Sequence, residues 1–549
     1  MKRTHKRGGV MEQTMKIIED EFDDPELDEI DRMAKEAVEQ EKKTLVTAST
    51  LKHKSILSPA EILNCLNSNE DGDADMFIRL HRDRFCYDHS IGKWFKWYSH
   101  YWKEDIIGEI VTGIDAVIDE YMKEASIQSS EKLKAIGSGK KNEADMAKEL
   151  EKKLISRIHD LQTLYRKKNI LALVSQGTDS LGISGDEWDK DPWLLACENG
   201  VIDLRTGDFR SGSPTDFIKT AAPTSWKGLN ESAPLWERFL REILDGKPDY
   251  VDYLQRLFGY GITGHTIDHA IPILWGHHGR NGKGTMLETF KFVLGPFAGP
   301  IPSEMLLSDK RARSSAGPSP DIMSLRGRRI AWASETGEGR KLAVDKVKQL
   351  TGADTLVGRP PHGKRMIEFS PTHKLFLLTN HKPAIPPTDY AMWARIHLIP
   401  FELSFVDEPQ KSFERKRDPS LPEKLKQEAS GILAWLVRGS LEWQKQGLNP
   451  PPGIKQATAE YQQDEDILGL FVSECTEPDS EEKVRAAALY GAYRRWCEMF
   501  GYKPVGGKKF GERMKELFEK KADSSGNYYV GIYLTAFAED DTRVSGYVE

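Results

Sequence analysis

The stretch IPILWGHHGRNGKGTMLETFKFVLG, residues 271–295, decides how this chain is read. Its first five residues are an apolar run of strand length, a glycine-rich loop follows, and from Met286 to Leu294 apolar residues return at helical spacing. Strand, glycine-rich turn and helix in that order predict a phosphate-binding loop. Glycines let backbone N–H groups come close to phosphate oxygens, and the helix N-terminus adds the positive end of its dipole. The expected nucleotide ligands are Gly276, Gly279, Arg280, Asn281, Gly282, Lys283, Gly284 and Thr285. Lys283 is expected to bridge the β- and γ-phosphates and Thr285 to reach Mg²⁺, so ATP and Mg²⁺ are the expected cofactors. The spacing departs from the strict motif twice: His277 stands where a glycine is usual, and Gly284 where Ser or Thr is usual.

Two further strands support this reading. In RGRRIAWASETGEG the apolar residues 330–333 run into Glu335, the place of an acid that polarises the attacking water. Ser334 precedes it where a second acid is usual, which leaves open whether Glu335 is base, Mg²⁺ partner or both. KLFLLTN, residues 374–380, ends in Asn380, whose side chain can bond both the γ-phosphate and water. An Asn at a strand end is by itself usually a turn former. Three strands that each close on a phosphate-competent residue are hard to ascribe to turn chemistry alone. Between them, LVGRPPHGKRMIEF, residues 356–369, reads as strand, turn, strand, and its turn would project His362, Lys364 and Arg365 onto DNA phosphates.

The 549 residues are too many for one core, and 39% hydrophobic with 30% charged residues excludes a membrane protein. The five cysteines are scattered without a C-x-x-C pair, which argues against a zinc ribbon or a disulfide framework; no structural metal is expected. A basic start without an apolar stretch excludes a signal peptide, and a cytoplasmic location is expected. The net charge of -7 does not exclude DNA, since a ring needs positive charge only where the strand passes.

An α/β architecture in six parts is expected. Residues 1–60, with nine acids between Glu19 and Asp31, form a charged, partly disordered arm. Residues 61–225 form an α+β domain containing the aromatic block KWFKWYSHYWKED, read as strands, and LLACENGVIDL, read as a hairpin turning at Asn199-Gly200. Core packing is preferred there over base stacking, because aromatics are the main apolar mass available. The polar, Ser-, Gly- and Lys-rich residues 126–146 are expected to be a surface loop. A helical collar at 226–265, the ATPase core at 266–410, a helical segment at 411–475 and a C-terminal module at 476–549 complete the chain. In that module two helices and the strand NYYVGIYL are expected, with seven Lys/Arg against three Glu from Lys503 to Lys521. Lys508 and Lys509 are its candidate DNA contacts.

The run VKQLTGADTLVGRPPHGKRMIEFSPTHKLFLLTNHKPAIPPTDYAMWARIHLIPF, residues 347–401, together with GRNGK and SET upstream, resembles superfamily 3 helicases of the phage/plasmid and poxvirus primase-helicase type. The Trp-rich and NGVIDLRTG stretches are similar to that family's pre-helicase domain, so the likeness covers roughly residues 70–535. It implies an AAA+ P-loop core with an α+β pre-helicase domain and a C-terminal winged helix. It further implies a homo-oligomeric, hexameric ring that hydrolyses ATP and moves 3′ to 5′ on single-stranded and forked DNA. Arg395, just before the apolar residues 396–401, matches the family's arginine finger; pairing with Asp389 is the plainer alternative. Fewer than seventy residues precede the first folded block, so priming is expected from a separate primase or polymerase. Two other readings stand beside the helicase: an origin-binding initiator whose ATPase drives ring assembly, and a small-nucleotide kinase, which leaves the asparagine strand and basic hairpin unexplained.

Overall fold

The computed structural model describes residues 57–308, 319–335, 337–359, 366–524 and 526–535. The chain divides into two compact units: 57–82 with 109–181, and 83–108 with 182–535. No helix among the described residues is long and apolar enough to cross a membrane. The acidic arm lies outside the described residues.

The first unit is helical: α1 (Pro59–Asn67), α2 (Asn69–His81), α3 (Ile114–Gly137), α4 (Lys141–Leu161) and α5 (Leu164–Val174). Ser58 and Glu61 close α1 with a reciprocal capping box. The loop expected at 126–146 is instead the turn of a helical hairpin, broken only at 138–140, where Gly139 takes φ +70°. Polarity misled the reading. Gln128, Ala135, Ala144 and Ala147 are buried between the two helices, and the polar residues occupy their outer faces, with Lys132 paired to Glu151. The centre of this unit is a fully buried carboxylate, Asp73, held by Arg157 at 2.9 Å, Arg166 at 2.6 Å and the Tyr121 hydroxyl at 2.8 Å. Removing one partner of such a pair strands the other charge, so Asp73→Ala is expected to destabilise this unit by about 3–5 kcal/mol. Hydrogen exchange of α4 and α5 would register it, and unchanged protection would count against the pair as a structural tie.

The second unit begins with two small sheets. Strands β1 (Phe85–Asp88), β2 (Lys93–Tyr98), β3 (Tyr101–Glu104) and β4 (Gly182–Ile183) pair in the order β3-β2-β1-β4. The aromatic block supplies core, as expected, through Phe95 and Trp102, which cluster with Trp188 and Cys86, while Tyr98 is exposed; the Trp188 indole N–H donates to Asp88 at 2.7 Å. Strands β5 (Leu194–Cys197), β6 (Gly200–Asp203), β7 (Asp208–Arg210) and β8 (Ala221–Ala222) form the other sheet. The hairpin exists, but Cys197 faces Gly200, so Glu198-Asn199 make the turn, one residue earlier than expected. Gly200 answers a packing demand instead, since a Cβ there would lie 2.5 Å from the Phe209 ring.

The collar is two helices, α6 (Pro234–Ile243) and α7 (Pro248–Gly261), separated by a turn in which Asp245 and Gly246 have positive φ. Beyond it stands a five-stranded parallel sheet of β9 (Ile271–Trp275), β10 (Ala298–Pro300), β11 (Ile330–Glu335), β14 (Lys374–Thr379) and β15 (Ile396–Pro400), in the order β10-β11-β14-β9-β15. The pleat sorts its side chains cleanly. Leu274, Trp332, Phe376 and Ile399 pack on one face with Phe258, Phe290 and Trp435. Ile273, Ala331, Ala333, Leu375 and Leu377 pack on the other with Val347 and Leu350. Helix α8 (Lys283–Leu294) follows β9, α9 (Val344–Thr351) precedes β14, and between them β12 (Leu356–Gly358) and β13 (Ile367–Phe369) form the expected antiparallel hairpin stem. After β15 come β16 (Ser404–Val406), β17 (Glu414–Lys416), α10 (Leu421–Gln427), α11 (Ala429–Gln446), α12 (Pro452–Glu465) and α13 (Ile467–Cys475).

The C-terminal module carries β18 (Thr476–Arg485), α14 (Ala486–Met499), α15 (Gly507–Leu517), β19 (Lys520–Asp523) and β20 (Gly526–Leu534), with an antiparallel sheet ordered β18-β20-β19. Its core joins Phe471, Tyr493, Trp496, Phe510 and Tyr529. Both helices and β20 were legible; β18, TEPDSEEKVR, was not, because most of its side chains face outward and show no apolar alternation.

Candidate functional site

The site starts from β9, whose buried run ends at Trp275 on the carboxyl edge of the sheet. The loop after it needs glycine for two reasons. Gly279 and Gly282 take φ +68° and +83°, and a Cβ on Gly276 would lie 2.7 Å from the Asn281 side chain. Arg280, also at positive φ (+49°), is held there as its carbonyl accepts the Phe405 N–H at 2.9 Å. Gly284 faces open space, so the position where Ser or Thr is usual leaves room in the cleft.

The structure turns the Asn281 side chain away from the role expected of a direct ligand. It is buried, donates to the Phe401 and Leu403 carbonyls at 3.1 and 2.9 Å, and thereby ties the loop to the chain leaving β15. Its Oδ1 accepts from Lys283 Nζ at 3.1 Å. Lys283 is 7% exposed, and its ammonium also reaches the Thr379 carbonyl at 3.1 Å and Asn380 Oδ1 at 3.4 Å. Burial pushes its pKa down to about 8, the sign of a cation short of negative charge around it.

Register brings the other expected residues to the same edge. Thr379 of β14 lies opposite Trp275 of β9 on one side and Glu335 of β11 on the other, so the phosphate loop, Glu335 and Asn380 leave three adjacent strands in one row. The Glu335 side chain lies outside the described residues. A cleft of about 360 Å³ follows, lined by residues 279–285, Ser334 and 378–380. Thr285 is at its rim, in the first turn of α8. Among the described residues no three His, Cys, Asp or Glu side chains gather as a metal site. One hydroxyl and one acid beside a phosphate cleft suit Mg²⁺, which keeps several waters and takes phosphate oxygens as ligands.

A second cleft of about 430 Å³ adjoins the first and shares Arg280, Gly282 and Thr285 with it. Phe239 and Leu235 of α6 face Phe405, Pro419 and Leu421 across it, with Glu242 and Arg417 among its polar groups. Its apolar walls and polar edge match a heterocyclic base. Sequence reading missed it because its walls are some 180 positions apart, before and after the core.

Arg395 lies at the opposite edge. Its carbonyl accepts from the Ile271 N–H at 2.7 Å, at the amino end of β9, roughly 17 Å of strand from the phosphate loop at 3.3 Å per residue. Among the described residues its guanidinium donates to the Ala391 carbonyl at 3.4 Å, and the ion pair at Asp389 is made by Lys348 at 2.7 Å. His362, Lys364 and Arg365 lie outside the described residues, beyond the stem of β12 and β13. Lys508 and Lys509 are exposed in the first turn of α15, where two cations meet the positive end of the helix dipole.

Known proteins bear on these observations. Residues 74–245 match the family described as D5 N terminal like, and residues 463–542 match Poxvirus D5 protein-like. The chain is 29% identical over 323 residues to “Putative helicase L207/L206” of Acanthamoeba polyphaga mimivirus, covering 56% of this chain and 33% of the relative. It is 24% identical over 384 residues to “Putative helicase 022R” of Frog virus 3, covering 57% and 39%. The chain thus spans little more than a third of the length of these curated relatives. Among solved structures, the apo NrS-1 C terminal region is similar at 11% identity and a TM-score of 0.38, over 66% of this chain and 88% of that one.

Proposed function

We propose that this chain is a D5-like primase-helicase of superfamily 3 and works as an ATP-dependent DNA helicase of a viral or mobile-element replication system, a reading supported by the matches to D5 N terminal like and Poxvirus D5 protein-like. The observation that carries the reading is the single row at the carboxyl edge of β9, β11 and β14, where loop, acid and asparagine meet one cleft. A five-stranded parallel sheet with the phosphate loop on a central strand supports the AAA+ reading, and two helices with a three-stranded antiparallel sheet support a winged helix at the C-terminal end.

In the mechanism we infer, the loop N–H groups and the start of α8 hold the β-phosphate, and Lys283 leaves its carbonyl partners to neutralise charge on the transferring phosphoryl group. Mg²⁺, arriving with ATP, would take an oxygen from Thr285 and lean on Glu335. Asn380 orients the attacking water, Glu335 accepts its proton, and the base lies in the cleft of Phe239 and Phe405. The DNA strand runs past the tip of the β12–β13 hairpin, gripped by His362, Lys364 and Arg365, while Lys508 and Lys509 hold duplex or fork. Glu335→Gln is expected to bind nucleotide normally and to lose turnover by about 10²–10⁴, because an amide keeps the shape and takes no proton. Undiminished turnover would remove Glu335 from the chemistry.

Strand displacement on a forked duplex with a 3′ tail tests the whole reading. ATP hydrolysis without displacement would favour an origin-binding initiator whose ATPase drives ring assembly. Transfer of phosphate to a nucleoside monophosphate would favour a kinase.

A further inference from the structure

At the amino edge of the central sheet, away from the phosphate loop, a cavity of about 570 Å³ opens beneath the hairpin. It is bounded by the loop 185–192, by Lys219, by the turns before β9, β11 and β14, and by Glu368 and Phe369 at the foot of β13. Two of its cations have no ion-pair partner among the described residues. The Lys219 ammonium sits over the Trp188 ring at 5.6 Å, and Arg326 faces the same space. Burial and the Arg326 charge together push the Lys219 pKa down, so the two cations oppose one another.

Behind them the wall is positive as well. Arg329 and Lys374 are fully buried, the first bonded to the Ile262 and Leu194 carbonyls and the second to that of Thr263. Among the described residues neither has a carboxylate at ion-pair distance, although the charges of Asp189 and Asp191 act on Arg329. Asp189 is a shared counter-charge: burial raises its pKa, the charges of Lys219, Arg329 and Arg326 lower it, and its Oδ1 accepts the Lys219 backbone N–H at 3.2 Å; Asp88 also acts on Lys219, so these carboxylates are spread over those cations. Asp186, Lys190 and Glu368 are on the exposed rim, where water screens them. Unpaired cations partly withdrawn from water are costly unless an anion completes them.

We propose that this cavity is a second DNA contact, in which Lys219 and Arg326 hold a backbone phosphate of the single strand passing the foot of the β12–β13 hairpin. The proposal rests on the helicase reading above and assigns to the pre-helicase segment a direct grip on the strand. Phosphate is the chemistry recognised; a free polyphosphate is its other source, and the experiment separates the two.

The full-length chain and its Arg326→Gln, Arg326→Lys and Lys219→Met variants are titrated with a labelled oligothymidylate over a range of salt concentrations. Binding of a fluorescent ATP analogue at the phosphate loop serves as the check of folding. Each neutral variant is expected to lower the slope of log affinity against log salt by about 0.7, the value of one lost phosphate contact on a single strand, and Arg326→Lys to restore it. Unchanged slopes in a chain that binds DNA and nucleotide normally overturn this proposal alone. So does a variant in which only competition by inorganic tripolyphosphate changes, since that assigns the cavity to free polyphosphate. A wild-type chain that binds no DNA overturns the helicase reading together with this one.

Discussion

Lys283→Ala is expected to abolish ATP turnover, a loss of at least 10²–10³ by the measure of one missing preorganised donor, while leaving the nucleotide-free chain as stable as before. The two halves of that expectation have one cause. The ammonium is buried and its pKa is depressed to about 8 by that burial, so in the empty site the charge is a burden that hydrogen bonds to Asn281, Thr379 and Asn380 only partly offset. Truncation removes the burden and leaves carbonyl oxygens that the open cleft can hydrate. With nucleotide present the account reverses, because phosphate supplies the missing negative charge and, among the described residues, Lys283 is the one lysine lining the cleft, beside Arg280. Coupled-enzyme ATPase assays and thermal melts with and without nucleotide check both halves. Near-normal turnover in Lys283→Ala would remove the phosphate-loop assignment, and a large fall in stability without nucleotide would show that the ammonium is a structural tie.

The parts of this site that were readable from sequence share a physical property: each is a short apolar run that leads directly into the loop or polar residue meant for phosphate. That is why 271–275, 330–335 and 374–380 were found, together with the order in which they would meet phosphate. The sheet could be inferred because strands buried on both faces have no polar alternation to confuse with a surface strand. Other features depend on partners distant in sequence. The cleft between Phe239 and Phe405 needs a helix from before the core and a loop from after it, and neither segment carries a mark of the other. Asn281 reads as a loop residue; its anchoring bonds to 401 and 403 appear only once β15 lies beside β9. From 147 onward the second helix of the hairpin was legible as amphipathic, but 126–146 was hidden because alanines and a glutamine suffice to pack two helices closely, so that stretch has the composition of a loop. Asn199-Gly200 drew the turn one residue too late, since that glycine is there to admit Phe209.

Arg395→Ala is expected to bind nucleotide and hydrolyse it 10³–10⁵ times more slowly, the range over which an arginine finger acts. Within one chain the residue cannot serve its own cleft, since it begins β15 at the amino edge of the sheet while Lys283 and Asn380 stand at the carboxyl edge. The ion pair with Asp389 is made by Lys348, whose hydrogen bond, with the Met392 N–H and the charges of Lys348 and Arg395, holds that carboxyl below the usual range against its burial; Arg395 adds charge there but, among the described residues, makes no direct ion pair. Among the described residues the buried Arg395 Nε has no hydrogen-bond partner, and the rest of its guanidinium donates to the Ala391 carbonyl. A donor left in this way is completed if a second copy brings phosphate oxygens to it, which is the arrangement of a ring in which each subunit closes its neighbour's site. Mixing supplies the decisive test. Arg395→Ala retains an intact Lys283, and Lys283→Ala retains an intact Arg395, so a mixed ring contains junctions with one of each. Those junctions should hydrolyse ATP although neither variant does so alone, and activity should peak near equal proportions. If mixed rings, verified by mass, never exceed the separate variants, Arg395 does not act across a subunit boundary, and its slow turnover would have to come from a change within its own chain.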